Sequence, residues 1–253
     1  MLKSDATDDE KKISRVILYG VDAQNAVIEN YAPVNNPPLT GIQFTVSGNV
    51  KILYAIANPS EAMLAAVPSN LFELMAMTGD FTDAPRSPFL MGGNGVVNNS
   101  SVNIEFIRAV AKISFIGMKD FAIGSIAVEN APDEGYVFSQ GSPAAPVSSE
   151  GVNYGAVESP TPTVYVAENT KQDPARFVVT GMFDGKLANY AFALSNEGLR
   201  IDIARNTHYQ VSITPKTENE CTITVNIPEW NDGETDVIVV PDNHFSIEKT
   251  ESF

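Results

Sequence analysis

Hydrophobic and polar residues alternate along much of this 253-residue chain. Segments 15–19, 51–57 and 108–115 are apolar on both faces, which predicts central strands or strands covered by a partner. Three further segments have the period of two that is typical of strands with one buried face. Their apolar positions are Ile42, Phe44 and Val46; Tyr209, Val211 and Ile213; and Cys221, Ile223, Val225 and Ile227.

One segment breaks this alternation. Residues 60–78 have the pattern of two short helices separated at Pro68, with Ser60 and Ser69 as the predicted N-caps. The side chains expected to face the core are Met63, Leu64, Leu71, Leu74 and Met75. Elsewhere, turns rich in Gly, Pro, Asn and Asp separate many short strands, which favours a β-sandwich.

The chain is predicted to contain two domains, residues 1–102 and residues 103–253. The boundary follows the Gly/Asn-rich segment 92–101, which we interpret as a flexible linker. Residues 140–162 are rich in Ser, Pro and Gly and are predicted to form a long surface loop. The tail, residues 235–253, contains an apolar strand that either completes the second domain's own sheet or pairs with another chain.

Composition narrows the possible partners. The formal net charge of −15 argues against nucleic acid, whose phosphates need a basic surface. No segment approaches the run of about 20 apolar residues that spans a membrane. The single cysteine, Cys221, excludes an intrachain disulfide framework. The first residues have no apolar signal-peptide core, so we expect that a leader has been removed.

The sequence has no recognisable catalytic motif, and we predict a protein that is not an enzyme and binds no cofactor or metal. His208 could be a base or a metal ligand, but a solvated strand residue is the commoner case. Asp232, Glu234 and Asp236 could hold calcium, but a solvated turn is commoner. Trp230 either closes the core at a strand end or stacks on a sugar ring.

Six segments, in chain order, resemble the fimbrillin family, the major pilus subunits (type V pilins) of Bacteroidales. They are residues 8–19 (DDEKKISRVILY), 51–59 (KILYAIANP), 107–113 (IRAVAKI), 163–169 (TVYVAEN), 204–211 (ARNTHYQV) and 224–230 (TVNIPEW).

The resemblance implies two transthyretin-like β-sandwich domains, with the helical excursion in the first. It implies a lipoprotein precursor that is exported to the outer membrane, is matured by an arginine-specific protease and polymerises into a cell-surface fimbria that supports adhesion. The implied partners are copies of itself, related pilus subunits and a host or bacterial surface glycan or protein. Removal of the first segment opens a groove, which a strand of the next subunit fills by β-augmentation.

The resemblance also places the assembly residues. The first strand in the groove is Val16, Ile17, Leu18 and Tyr19. The expected donor residues are Val237, Ile238, Val239, Val240, Phe245 and Ile247. No processing arginine can be assigned, because Arg15 abuts the first strand itself.

Three alternatives stay open. The protein could be a pilus anchor or tip subunit. It could be a surface glycan-binding β-sandwich that uses exposed aromatic side chains such as Trp230 or Tyr154. An enzyme is a distant third.

Overall fold

The computed structural model describes residues 4–38, 42, 45–98, 102–160, 162–196, 198–228, 230–231 and 237–238. These residues form mainly strands, as the sequence pattern predicts. No helix among them is long and apolar enough to cross a membrane.

The elements follow one another along the chain as β1 (Ser4–Asp5), β2 (Arg15–Val21), β3 (Val27–Asn30), β4 (Val34–Asn35), β5 (Ile52–Ala57), α1 (Glu61–Ala65), α2 (Leu71–Met75), β6 (Thr78–Asp80), β7 (Met91–Val96), β8 (Ile104–Glu105), β9 (Ile107–Arg108), β10 (Val110–Gly117), β11 (Ala122–Pro132), β12 (Glu134–Tyr136), β13 (Gly151–Glu158), β14 (Thr163–Ala167), β15 (Arg176–Phe183), β16 (Lys186–Ala193), β17 (Ser195–Asn196), β18 (Leu199–Arg200), β19 (His208–Pro215), β20 (Cys221–Asn226), β21 (Trp230–Asn231) and β22 (Val237–Ile238).

The first sheet has the antiparallel order β3-β2-β5-β7-β9, and β4 pairs with the start of β2. Its central strands are buried on both faces, as the two-sided apolar pattern predicts. Val16 and Leu18 of β2 lie in one hydrophobic cluster, whereas Ile17 and Tyr19 lie in the cluster on the opposite face.

The two predicted helices are present and cover the Ile17 face of this sheet. Ser60 caps α1, because its hydroxyl accepts a hydrogen bond from the Met63 amide. The prediction of Ser69 as the second cap is wrong, since the side chain of Asn70 accepts from the Glu73 amide. All five predicted core side chains lie in or against one cluster: Met63, Leu64, Leu71, Leu74 and Met75.

Two four-stranded sheets form a sandwich between Val110 and Asn226, with orders β14-β10-β19-β20 and β13-β11-β15-β16. The pairing of β10 with β19 is parallel, and the other pairings in these two sheets are antiparallel. The inner faces meet in one cluster that includes Phe115, Phe177 and Val211.

The glycine run is a strand and not the predicted flexible linker. Gly92, Gly93 and Gly95 belong to β7, which lies between β5 and β9. A Cβ atom on Gly93 would lie 2.3 Å from the Glu105 carbonyl oxygen, and one on Gly92 would lie 2.5 Å from the Val137 carbonyl oxygen. The glycines are therefore needed because other backbone segments pass over both faces of β7.

Two further predictions differ from the structure. The predicted loop 140–162 contains β13, an edge strand of the sandwich. The predicted strand around Ile42 and Val46 is absent from the described residues of that segment, although Val46 is fully buried. The proposed division at residue 102 stays a prediction.

Four further pairings are short, and three of them join distant parts of the chain. β12 pairs with β6, and β17 forms a hairpin with β18. β1 pairs in parallel with β21, and β22 pairs antiparallel with β8. The first and last described parts of the chain are thus both held by strands from elsewhere.

Candidate functional site

The N-terminal segment (residues 4–14) crosses the molecule and places one acidic side chain in its interior. β1 begins the segment, and a turn follows in which the Lys11 amide donates to the Thr7 carbonyl. Within this turn, the Thr7 amide donates to the Glu10 carboxylate at 2.7 Å and the Glu10 amide donates to the Thr7 hydroxyl at 3.3 Å. The turn directs Glu10 inward, where only 2% of the residue is exposed.

The Glu10 carboxylate is held by an ammonium and a phenol. Lys112 Nζ lies 2.8 Å from Glu10 Oε1, and the Tyr165 hydroxyl donates to the same oxygen at 2.5 Å. Burial alone raises the pKa of Glu10, but the hydrogen bonds from Lys112, Tyr165 and the Thr7 amide outweigh it and lower the pKa below its usual value. The buried carboxyl is therefore charged at neutral pH.

Arg108, Lys112, Tyr165 and Trp230 form the Glu10 socket. Lys112 and Tyr165 are cross-strand partners on the outer face of β10 and β14. Arg108 Nε donates to the Glu10 carbonyl oxygen at 3.0 Å, and its guanidinium carbon lies 4.6 Å from the centroid of the Trp230 ring. Lys112 Nζ is 5.8 Å from the same centroid, so the indole packs beside both cations.

His208 lies next to the socket and is buried, which corrects the expectation of a solvated residue. It is the partner of Lys112 in the parallel β10–β19 register and is 4% exposed. Its Nε2 shares a hydrogen bond of 2.8 Å with the Ser114 hydroxyl, while Nδ1 has no partner in the part of the chain that the structure describes. Burial, helped by the charge of Lys112, lowers the pKa of His208 to about 4, although Glu10 opposes the shift.

His208 should make the stability of the protein depend on pH. Because the imidazole stays neutral in the fold, the unfolded chain gains the proton first as the pH falls from 6.5 towards 4. Wild type should therefore lose about 1.5 kcal/mol more than the His208→Gln variant between pH 6.5 and pH 5. Urea unfolding at both pH values checks this, and equal losses in the two proteins would contradict it.

A second contact holds the end of the N-terminal segment. Asn58, whose φ is +56°, follows β5 directly. Its Oδ1 accepts from the amide and hydroxyl of Ser14 at 2.8 and 2.9 Å. Its Nδ2 donates to the carbonyl oxygens of Lys12 and Phe89 at 2.9 and 2.7 Å. The Asn58 side chain thus joins the N-terminal segment to the end of β5 and to Phe89, which lies just before β7.

A buried ion pair joins two of the segments that resemble the fimbrillin family, residues 163–169 and residues 204–211. Arg205 Nη2 lies 2.5 Å from Glu168 Oε1, and their side chains are 6% and 3% exposed. Arg205 also donates to the carbonyl oxygens of Val137 and Tyr136 at 2.9 and 2.7 Å. Nearby, Arg108 Nη1 donates to Asn206 Oδ1 at 3.0 Å.

The six resembling segments therefore supply one contact network. The sequence drew attention to these segments but not to the individual side chains Glu10, Asn58, Lys112, Tyr165 and Arg205. A single acid inside an acidic leader and a single lysine inside a strand carry no periodic signal. Their roles become visible only when the strands are paired.

The predicted assembly residues divide into three groups. Val16, Ile17, Leu18 and Tyr19 all lie in β2, between 0% and 4% exposed. Val237 and Ile238 form β22, opposite Glu105 and Ile104 of β8. The other predicted donors lie outside the described residues: Val239, Val240, Phe245 and Ile247.

The remaining candidates lose support or lie outside the structure. Trp230 and Tyr154, the aromatic side chains of the glycan-binding alternative, are 6% and 5% exposed. Neither offers an open ring face to a sugar, which removes the exposed aromatic side chains that this alternative needs. Trp230 instead packs in a hydrophobic cluster at a strand end, as the other interpretation of this residue predicts. Asp232, Glu234 and Asp236 lie outside the described residues, and the described residues contain no acidic or His/Cys cluster that could hold a metal.

No protein-family model and no curated protein matches the sequence. The tip fimbrial protein Mfa3 from Porphyromonas gingivalis, solved with a C-terminal truncation, matches this structure with a TM-score of 0.61 at 15% identity. The match covers 88% of this chain and 96% of that chain. This chain has a fimbrillin-like fold. The fimbrillin-like fold confirms, at the level of structure, the resemblance seen in the six segments.

Two other solved structures have lower scores. A proposed cell adhesion protein from Bacteroides fragilis has a TM-score of 0.37 at 8% identity, over 87% of this chain and 85% of that chain. A proposed adhesin from Bacteroides ovatus has a TM-score of 0.41 at 10% identity, over 86% of both chains. These scores are too low to add to the assignment of the fimbrillin-like fold.

Proposed function

We propose that the protein is a structural subunit of a cell-surface fimbria that polymerises by strand exchange after proteolytic maturation and supports adhesion. The observation that carries the proposal is the fimbrillin-like fold, which it shares with a fimbrial protein over 88% of its length. In this proposal, an exported lipoprotein precursor is cut by an arginine-specific protease at the outer membrane. Its partners are copies of itself and related pilus subunits, and it catalyses no reaction.

The position of β2 supports strand exchange. β2 pairs with β5 on one side and with β3 and β4 on the other. Without β2, the two flanking edges would face each other across a groove with unpaired backbone groups and two exposed hydrophobic clusters. A guest strand must restore both the hydrogen bonds and the burial, so it needs consecutive apolar residues.

The tail has such a sequence. Residues 237–240 (VIVV) are four consecutive apolar residues with strong strand preference, like residues 16–19 (VILY) of β2. Among the described residues of the tail, Val237 and Ile238 already form a strand, β22, which pairs with β8. Residues 237–240 with Phe245 and Ile247 are the proposed donors.

Assembly of truncated chains tests the proposal. We expect full-length chain to form heat-resistant ladders on gels after brief trypsin treatment, and a chain ending at Gly233 to form none. A chain ending at Pro241 is the matched control, because it keeps residues 237–240 but lacks Phe245 and Ile247. Negative-stain images check whether ladders correspond to fibres.

The outcomes separate the alternatives. Ladders that survive in the Gly233 chain would contradict a donor tail and favour an anchor or tip subunit. Ladders from the Pro241 chain would confine the donor to residues 237–240. Absence of polymer from every chain under every treatment would contradict the proposal that the protein is a polymerising subunit of a fimbria.

A further inference from the structure

We propose that the Glu10 socket is a carboxylate-binding site which, when the N-terminal segment is displaced, takes an acidic side chain from an extended segment of a second copy of this chain. The preference for a carboxylate follows from Arg108, Lys112 and Tyr165, which stay in place when the segment leaves. The identity of the occupant rests on the proposed function.

The socket contains two cationic side chains that the fold has removed from water. Arg108 is 0% exposed and the Lys112 side chain is 12% exposed. When the N-terminal segment leaves, Lys112 loses its counter-ion and lies beside a second cation, Arg108, at the same indole ring. Two neighbouring like charges repel each other, so an empty socket favours the entry of an anion.

The donors around Glu10 distinguish a carboxylate from an amide. Oε1 accepts from Lys112 and Tyr165, and Oε2 accepts from the Thr7 amide. While the segment is in place, both oxygens face donors, and a glutamine would direct its NH₂ group at one of them, whichever way the amide is turned. The Thr7 amide leaves with the segment, whereas Lys112 and Tyr165 stay. An incoming group is therefore held by an ammonium and a phenol, which one oxygen of a negatively charged carboxylate satisfies.

The charge of the chain favours a second copy as the source of that group. The chain has 31 acidic and 16 basic residues, so its segments offer many carboxylates and few competing cations. Two copies with a net charge of −15 repel each other at long range. The cationic socket attracts an acidic side chain of the neighbouring copy, and this contact sets where along the first copy the neighbour's segment binds.

Trp230 allows the site to be tested directly, because it is the single tryptophan of the chain and lies within 6 Å of both cations. In the full-length Glu10→Ala variant, the melting temperature should fall by roughly 10 °C. Sodium acetate should raise it again by about 4 °C, and Trp230 fluorescence should change saturably over the same concentrations. Acetamide and sodium chloride at matched ionic strength should do neither.

Two control variants test whether acetate acts at the Glu10 socket. Glu61→Ala removes an exposed carboxylate, paired with Arg15, and should show no acetate-specific effect. Adding Lys112→Met to Glu10→Ala should abolish the acetate effect. If acetate acts on Glu10→Ala no more than on wild type, the carboxylate site is overturned. If Glu10→Ala does not fold, Glu10→Gln is measured instead, and a wild-type melting temperature in that variant overturns the site.

The occupant is tested separately in the assembly assay. The double variant Glu10→Gln, Lys112→Met removes both charges of the Glu10–Lys112 pair together, so neither is left buried without the other. It should fold but form at least ten-fold fewer ladders than wild type. Equal ladders would overturn the second copy as the occupant while leaving the acetate result intact. Failure of wild type to polymerise would overturn the proposed function, and acetate binding would still be measured on its own.

Discussion

Replacing Arg205 by methionine should destabilise the fold by about 3–5 kcal/mol, because it leaves the Glu168 carboxyl buried without its Arg205 partner. The substitution also removes the donors to the carbonyl oxygens of Tyr136 and Val137. Those residues connect the sandwich to the first sheet, since Val137 belongs to the cluster on the Ile17 face. Guanidinium unfolding at pH 7 measures the loss.

Arg176→Met is the matched control for this substitution. Arg176 lies 3.7 Å from Glu129 in an ion pair whose side chains are 53% and 45% exposed. Solvent screens such a pair, so the control should lose less than about 1 kcal/mol. Comparable losses in the two variants would show that burial does not determine the strength of the Arg205 contact.

The second large effect is expected from Gly93→Ala. The added Cβ would lie 2.3 Å from the Glu105 carbonyl oxygen and 2.9 Å from Ile104 Cγ2, so β8 must move away from β7. Overpacking of this kind costs about 1–3 kcal/mol, and the rigid backbone neighbour places this site at the upper end. Displacement of β8 should also expose β22, which hydrogen exchange at Val237 and Ile238 detects.

Gly155→Ala is the corresponding control in an edge strand. A Cβ at Gly155 would meet no atom within 4 Å. The variant should be neutral or slightly more stable, since alanine restricts the unfolded chain more than glycine does. If Gly93→Ala were equally well tolerated, the close approach of β7 and β8 would be wrong.

The elements that could be predicted from the sequence are those whose own pattern of apolar residues matches the faces that are buried in the fold. The two-sided apolar runs of β2, β5 and β10 indicated buried strands, and the helical excursion was located by Pro68 and a stripe of apolar residues. These signals are local, because each residue's burial follows from the face on which it lies. The fold class was predictable for the same reason.

The features that the sequence did not predict have a different physical origin. Glycine carries no hydrophobic signal, so β7 was assigned to a linker although its bare backbone is what permits contacts on both faces. His208 lies on the outward face of β19, which the alternation of apolar and polar residues predicts to be exposed to solvent. The N-terminal segment and Trp230 cover that face. Neither the covering nor the charge pairing of Glu10 with Lys112 can be deduced before the strands are placed.

The parallel pairing of β1 with β21 has a consequence for the order of folding. Ser4 and Asp5 are synthesised long before their partners Trp230 and Asn231, and the sandwich strands lie between them in the chain. Closing a loop of this length is slow, and no shorter stretch of chain contains both partners. The partners of Glu10, Lys112 and Tyr165, are therefore available before β21, and the pairing of β1 with β21 fixes the N-terminal segment last.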